Sequence, residues 1–138
     1  MSETKTVAEK AAVQFGFKDG DLIQEFGYDE DVDFDLRDAL MDHVDSDLLD
    51  EEDQEVVDGV LLWWRAEDGD LVDELVDVLA TLGEGGAIWL MTPKAGRDGH
   101  VSPLDIEEAA PEAGLHVTSS EEASPEWAAT RLVMKQVR

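Results

Sequence analysis

The chain has 138 residues, no cysteine and a formal net charge of −25 at pH 7. That length fits one domain. The missing cysteines exclude a disulfide framework and thiolate metal sites, and the charge opposes nucleic-acid backbones and anionic membranes as partners.

Taken in chain order, residues 1–16 read as a polar N-terminal segment without the apolar stretch of a signal peptide. It carries a short helix over 7–15 that packs through Val7, Ala11 and Phe15. Residues 17–138 read as a single α/β domain. A strand is expected over 21–26 and a helix over 33–44, with Phe34, Leu36, Leu40, Met41 and Val44 as its apolar stripe. The stretch 45–55 is mostly acid and predicts a loop with one helical turn at most. The continuous apolar run at 58–64 predicts a buried strand. Asp68-Gly69-Asp70 is a turn and helix cap. It leads into a helix over 71–82 with Leu71, Leu75, Leu79 and Leu82 inward and Gly83 as its C-terminal cap. A second buried strand covers 86–92. Ser102-Pro103-Leu104-Asp105 has the order of a helix start: a capping serine, proline at the first helical position and an acid three residues after the cap. That helix runs to about residue 113 with Gly114 as its stop, and Pro111 predicts an early break or a kink. Strands at 117–120 and 127–135 close the chain, joined through Ser124-Pro125. Strand–helix alternation followed by two strands with no helix between them predicts a mostly parallel sheet ending in an antiparallel pair. The longest apolar runs, 60–64 and 87–91, are far shorter than the roughly 20 residues of a membrane helix, and a cytoplasmic protein is expected.

The order from 58 to 135 resembles the C-terminal half of a class I methyltransferase sheet, which implies a Rossmann-like three-layer domain. Leu22-Ile23-Gln24-Glu25-Phe26-Gly27 resembles the start of that family's acid-x-Gly-x-Gly-x-Gly loop, where glycines let the backbone approach the cofactor. Glu25 and Gly27 match the first two positions. Asp29 and Asp31 stand in the next two glycine positions and bring negative charge to where the carboxylate of S-adenosylmethionine would sit. About 30 residues separate this loop from the strand at 58, too few for the two further strand–helix units of the full sheet, and the acidic ribose-binding residue has no counterpart. Trp63-Trp64-Arg65-Ala66 does not resemble the Asn/Asp-Pro-Pro-aromatic motif of amino methyltransferases. No cofactor is therefore expected. The whole chain resembles a family of small acidic actinobacterial proteins classed as a domain of unknown function. The resemblance rests on residues 60–65 (VLLWWR), 68–73 (DGDLVD) and 92–101 (TPKAGRDGHV). It implies a fold and a host lineage and carries no assigned reaction.

Charge is skewed along the chain: residues 1–60 hold 20 acids against 4 bases, and residues 61–138 hold 15 against 6. Asp29-x-Asp31-x-Asp33-x-Asp35 suggests calcium, but an EF-hand loop needs glycine sixth and glutamate twelfth. From Asp29 those places are Phe34 and Leu40, and from Asp31 they are Leu36 and Asp42, so no metal site is expected. The same acids, with Trp64, are candidates for docking a basic protein partner; the other reading is a solvated acidic surface. Lys94, Arg97 and His100 cluster in a glycine-rich loop after a buried strand, an edge where open α/β sheets bind ligands. With Gly27 they are candidates for an anion or small-molecule site; alternatively they clamp the chain's own acids. Adjacent Trp63 and Trp64 must face opposite sides of their strand. The expected role is a non-catalytic interaction or regulatory protein. The alternative is a ligand binder or reduced methyltransferase-like enzyme at the carboxyl edge. A carboxyl edge filled by Asp29, Asp31 or tryptophan would favour the first.

Overall fold

The computed structural model describes residues 7–122 and 124–134. Its elements are α1 (Val7–Gln14), β1 (Ile23–Phe26), α2 (Phe34–Val44), β2 (Val57–Trp63), a 3-10 turn (Ala66–Asp68), α3 (Leu71–Val78), β3 (Leu82–Pro93), α4 (Pro103–Glu112), β4 (Leu115–Glu122) and β5 (Trp127–Met134). They form one five-stranded sheet in the order β1-β2-β3-β5-β4. β1, β2 and β3 are parallel, while β5 runs antiparallel to both β3 and β4. The Rossmann-like α/β expectation, with its terminal antiparallel pair, is met.

Two apolar layers sandwich the sheet, which is why β2 and β3 carry unbroken apolar runs rather than alternation. Leu61, Trp63, Trp89, Met91, Trp127 and Ala129 pack with α1 and α2. Val60, Leu62, Trp64, Ile88, Leu90 and Leu132 pack with α3 and α4. The period of two along a strand sends Trp63 and Trp64 to opposite layers, as expected. α1 belongs to the first layer: Ala11 and Ala12 are buried, and Phe15 stacks on Trp89 with ring centres 4.0 Å apart.

Several local expectations are corrected. The third helix stops at Val78, not at residue 82, and Leu82 and Gly83 open β3 instead of capping a helix. Leu82 pairs with Val57, and an irregularity then lets the long strand re-register at Gly59–Ala87. Sheet pairing thus overrides a leucine spacing that also suits a helix. Val7 and Phe34, assigned to apolar contacts, are 57% and 46% exposed. Pro111 falls in the last turn of α4, and the helix runs through it to Glu112.

Nothing resembling two strand–helix units lies between β1 and β2. α2 occupies that interval, and Leu49 bridges to the free edge of β1: its N–H donates to the Ile23 carbonyl at 2.9 Å and its carbonyl accepts from Glu25 N at 2.8 Å. The buried Gln24 side chain fastens the same acidic stretch. Its Nε2 donates to the Asp50 and Asp53 carbonyls at 2.8 and 2.9 Å. Among the described residues no helix is long and apolar enough to cross a membrane.

Candidate functional site

The carboxyl ends of β1, β2 and β3 bring together most of the residues singled out in the sequence. β1 ends at Gly27, whose φ of +76° turns the chain away from the sheet. A Cβ at this position would lie 2.1 Å from the Trp63 carbonyl oxygen. Glycine is thus required by backbone conformation and by close approach alike. The loop it opens is pinned by buried Val32 and ends at Asp33, whose carboxylate caps α2 by accepting from Leu36 N at 2.9 Å.

Arg65, directly after β2, is the hub of this edge. It is 8% exposed. Its Nη1 donates to the Gly27 carbonyl at 2.8 Å and to the Trp63 carbonyl at 3.3 Å. Its Nε donates to Asp31 Oδ2 at 3.1 Å, and Nη2 makes a second bond to Asp31 Oδ1. Asp68 approaches from the 3-10 turn at 3.4 Å. The guanidinium carbon lies 5.3 Å from the Trp127 ring centre, and Trp127 Nε1 donates to the Asp31 carbonyl at 3.1 Å. Its bidentate bond to Arg65 holds the Asp31 carboxyl below its ordinary pKa, although partial burial pushes the other way. Asp31 is thus the partner of a buried guanidinium.

The neighbouring groups of this edge are also engaged. Glu25, 5% exposed, accepts from Arg37 Nε at 2.6 Å, from Arg37 Nη2 at 2.9 Å and from Trp63 Nε1 at 2.8 Å. Arg37 in turn sits 4.8 Å from the Tyr28 ring centre. The Gly27 N–H donates to Glu51 Oε2 at 3.0 Å. A hollow of about 260 Å³ remains beside it, lined by Tyr28, Asp29, Glu51, Trp64, Asp68 and Glu74 among others. Small-molecule sites usually offer roughly 300–1,000 Å³. Partial burial, then Asp77, Glu51 and Asp68 nearby, raises the Glu74 pKa.

These residues do not fit S-adenosylmethionine. The Gly27 N–H and carbonyl are bonded to Glu51 and Arg65, the hollow is lined by the carboxylates of Asp29, Glu51, Asp68 and Glu74, and among the described residues the sheet has no further strand to supply a ribose-binding acid. Among the described residues no group of three or more histidine, aspartate or glutamate side chains is placed to hold a metal ion.

The basic loop meets this hub through Gly99. Its carbonyl accepts from Ala66 N at 2.9 Å, and a Cβ there would lie 3.0 Å from the Arg65 Cβ. Its cations turn to the chain's own groups: Lys94 faces Glu122 at 3.7 Å, and Arg97 faces Glu126 at 3.6 Å and donates to the Glu126 carbonyl at 3.2 Å. His100 Nδ1 donates to the Pro93 carbonyl at 2.9 Å. Trp64 is only 6% exposed and packs in the α3–α4 layer. Asp29 bonds the Glu30 N–H at 2.7 Å, and Asp35 stands exposed in the first turn of α2. Sequence reasoning missed Arg65, Glu51 and Glu74. Arg65 had a readable signal, being the lone base between Arg37 and Lys94 and sitting at the end of a buried strand.

The chain belongs to the family described as "Protein of unknown function (DUF3052)", whose model matches residues 12–136. It is 50% identical over 131 residues to the uncharacterized protein Rv2239c of Mycobacterium tuberculosis and, equally, to the uncharacterized protein Mb2263c of Mycobacterium bovis, with 95% of this chain and 82% of each relative covered. Its fold is similar to that of a TehB-like SAM-dependent methyltransferase from Corynebacterium glutamicum, with a TM-score of 0.59, 17% identity, and coverage of 96% of this chain and 90% of that one. It is also similar to the mitomycin 7-O-methyltransferase MmcR, with a TM-score of 0.65 and 11% identity. There the match covers 94% of this chain but only 54% of the enzyme, so the chain spans about half of MmcR.

Proposed function

We propose that this member of the family is a non-catalytic docking protein built on a methyltransferase-like fold, which acts in the cytoplasm by binding a basic protein partner through its acidic face. One contrast carries the reading. The carboxyl edge is closed by the chain's own ion pairs, whereas Asp35, Asp38 and Asp42 on α2 are exposed and, among the described residues, take part in no ion pair. A surface acid without a counter-ion is available to a cation from outside, and complementary charge chiefly supplies encounter rate and specificity.

Two measurements test the proposal. Calorimetry with S-adenosylmethionine is expected to give no heat of binding, and incubation with the labelled cofactor no methyl transfer. Tagged protein is expected to retain a partner from cell extract at low salt, and the isolated partner should bind the Asp29→Asn/Asp35→Asn/Asp38→Asn/Asp42→Asn variant at least tenfold more weakly. Undiminished binding both to that variant and to one with Glu51, Glu52 and Glu55 neutralised would remove the acidic face from the function. A second reading, a small-molecule binder or reduced methyltransferase-like enzyme, draws on the hollow that survives beside Gly27. Low-micromolar cofactor binding would transfer the conclusion to it.

A further inference from the structure

α1 and α2 lie side by side over one face of the sheet, and small residues form the seam between them. Ala12 is 1% exposed and Ala8 9%, while Ala39 of α2 is partly buried against the same core. Small side chains let the helices approach without raising a ridge along the seam. Two hollows follow this seam, of about 390 and 190 Å³, and both are lined by Ala39 and Asp42. They make one groove, floored by Ala8, Ala12 and Ala39, with Val7 and Val13 exposed at its lip by 57% and 46%.

One rim of the groove is a stripe of charge. Asp35, Asp38 and Asp42 stand at i, i+3 and i+7 on α2, one helical face about 10 Å long. Like charges at this spacing destabilise a helix. The neighbouring base, Arg37, feels Asp38 through space, but its ion pair is with Glu25. Among the described residues the stripe makes no ion pair within the fold, and it lies beside an apolar floor.

We infer that this seam seats a basic amphipathic helix of a partner protein. Its small apolar side chains lie on the alanine floor, and its lysines or arginines at i, i+3 or i+4, and i+7 oppose Asp35, Asp38 and Asp42. Helices in grooves are recognised through anchors at this period. A second copy of the chain is opposed by its own charge of −25. The inference rests on the docking reading above and adds to it the site and the shape of the partner.

The test is fluorescence anisotropy at 150 mM salt with a labelled alanine-rich 18-residue helical peptide bearing lysines at i, i+3 and i+7. A peptide of the same composition with its lysines spread around the helix serves as comparison. The first is expected to bind at least tenfold tighter than the second. Asp35→Asn/Asp38→Asn/Asp42→Asn should weaken it at least tenfold, and Val13→Lys, at an exposed position that leaves folding intact, at least threefold. Glu107→Gln/Glu108→Gln/Glu112→Gln removes the same charge from α4 and should cost less than twofold. Equal affinity for the two peptides, or equal losses in the two triple variants, overturns the groove, as does failure of the first peptide to bind. A natural partner that still binds the α2 variant but is lost on neutralising Glu51, Glu52 and Glu55 would overturn the groove and leave the docking reading standing. No salt-sensitive partner at all would defeat both.

Discussion

The carboxyl edge and the outer face of α2 draw on the same acidic run, yet they use it in opposite ways. At the edge three carboxylates are mated: Glu25 to Arg37 and Trp63, Asp31 to Arg65, and Glu51 to the Gly27 N–H. On α2, Asp35, Asp38 and Asp42 face water. Two arginines, Arg37 and Arg65, mark the difference, because the ion pairs of both go to carboxylates at the edge and, among the described residues, none goes to the α2 stripe. A net charge therefore says little about function until its few counter-ions are located.

The largest expected effect tests whether the edge is locked by its backbone. Gly27→Ala would hold alanine at a φ of +76° with its Cβ 2.1 Å from a carbonyl oxygen. The left-handed conformation costs about 1–2 kcal/mol and overpacking about 1–3 kcal/mol. Denaturant unfolding should therefore show a loss of about 3 kcal/mol or more. Next comes Arg65→Ala, which strips donors from the Gly27 and Trp63 carbonyls and leaves Asp31 without its partner. Unsatisfied buried acceptors cost about 1–3 kcal/mol, and a loss of about 2 kcal/mol is expected. Asp31→Asn should cost less, because Arg65 keeps both carbonyls and Asp68. If Arg65→Ala unfolds at the wild-type denaturant concentration, the edge is not locked and the contrast with α2 collapses.

On the α2 side, salt is the probe. The Debye length falls from about 30 Å at 0.01 M to about 10 Å at 0.1 M, so repulsion along the stripe fades. With two like-charge pairs at about 0.2–0.5 kcal/mol each, the gain between low and moderate salt should be at most about 1 kcal/mol, read as a rising melting midpoint. The Asp35→Asn/Asp38→Asn/Asp42→Asn variant should show a smaller rise. An equal rise in both would place the repulsion elsewhere.

Strand and helix order was legible because each layer leaves a mark: the unbroken apolar runs of β2 and β3 reflect burial on both faces, and Ser102-Pro103 fixes the start of α4. The departure from the resembled glycine loop was legible too, since Asp29 and Asp31 stand at two of its glycine positions. The fate of those acids was not. Asp31 is answered by Arg65, 34 residues away, and no local period encodes that pairing. Leu82 shows the converse limit. Its spacing from Leu71, Leu75 and Leu79 suits a helix, but pairing with Val57 across the sheet claims it.

A smaller effect concerns the remaining hollow. Burial raises the Glu74 pKa, so the folded state disfavours its carboxylate. That penalty is fully present above the folded pKa and vanishes below the unfolded value of about 4.3. Glu74→Gln should therefore stabilise the protein at pH 7, within the roughly 0.5 kcal/mol usual for surface changes, and the gain should disappear by about pH 4. A gain that persists at low pH would mean that packing, not charge, is responsible.

Arg97→Ala should have the smallest effect, and it divides the carboxyl edge itself. Arg65 and Arg97 both follow β strands and both face acids, but their surroundings differ. The Arg65 side chain is 10% exposed, whereas Arg97 is 37% exposed and its partner Glu126 is 63% exposed. Water screens the second pair, and exposed ion pairs contribute about 0–1 kcal/mol. Its hydrogen bond to the Glu126 carbonyl, at 3.2 Å, is likewise at the surface. The expected loss is about 0.2 kcal/mol, the low end for an exposed pair, a small fall in melting midpoint. Partner binding should be unchanged, because the loop cation answers the chain's own acid and not a ligand. If binding is lost while the midpoint holds, Lys94, Arg97 and His100 recognise an anion from outside, and the carboxyl edge rather than α2 becomes the working surface.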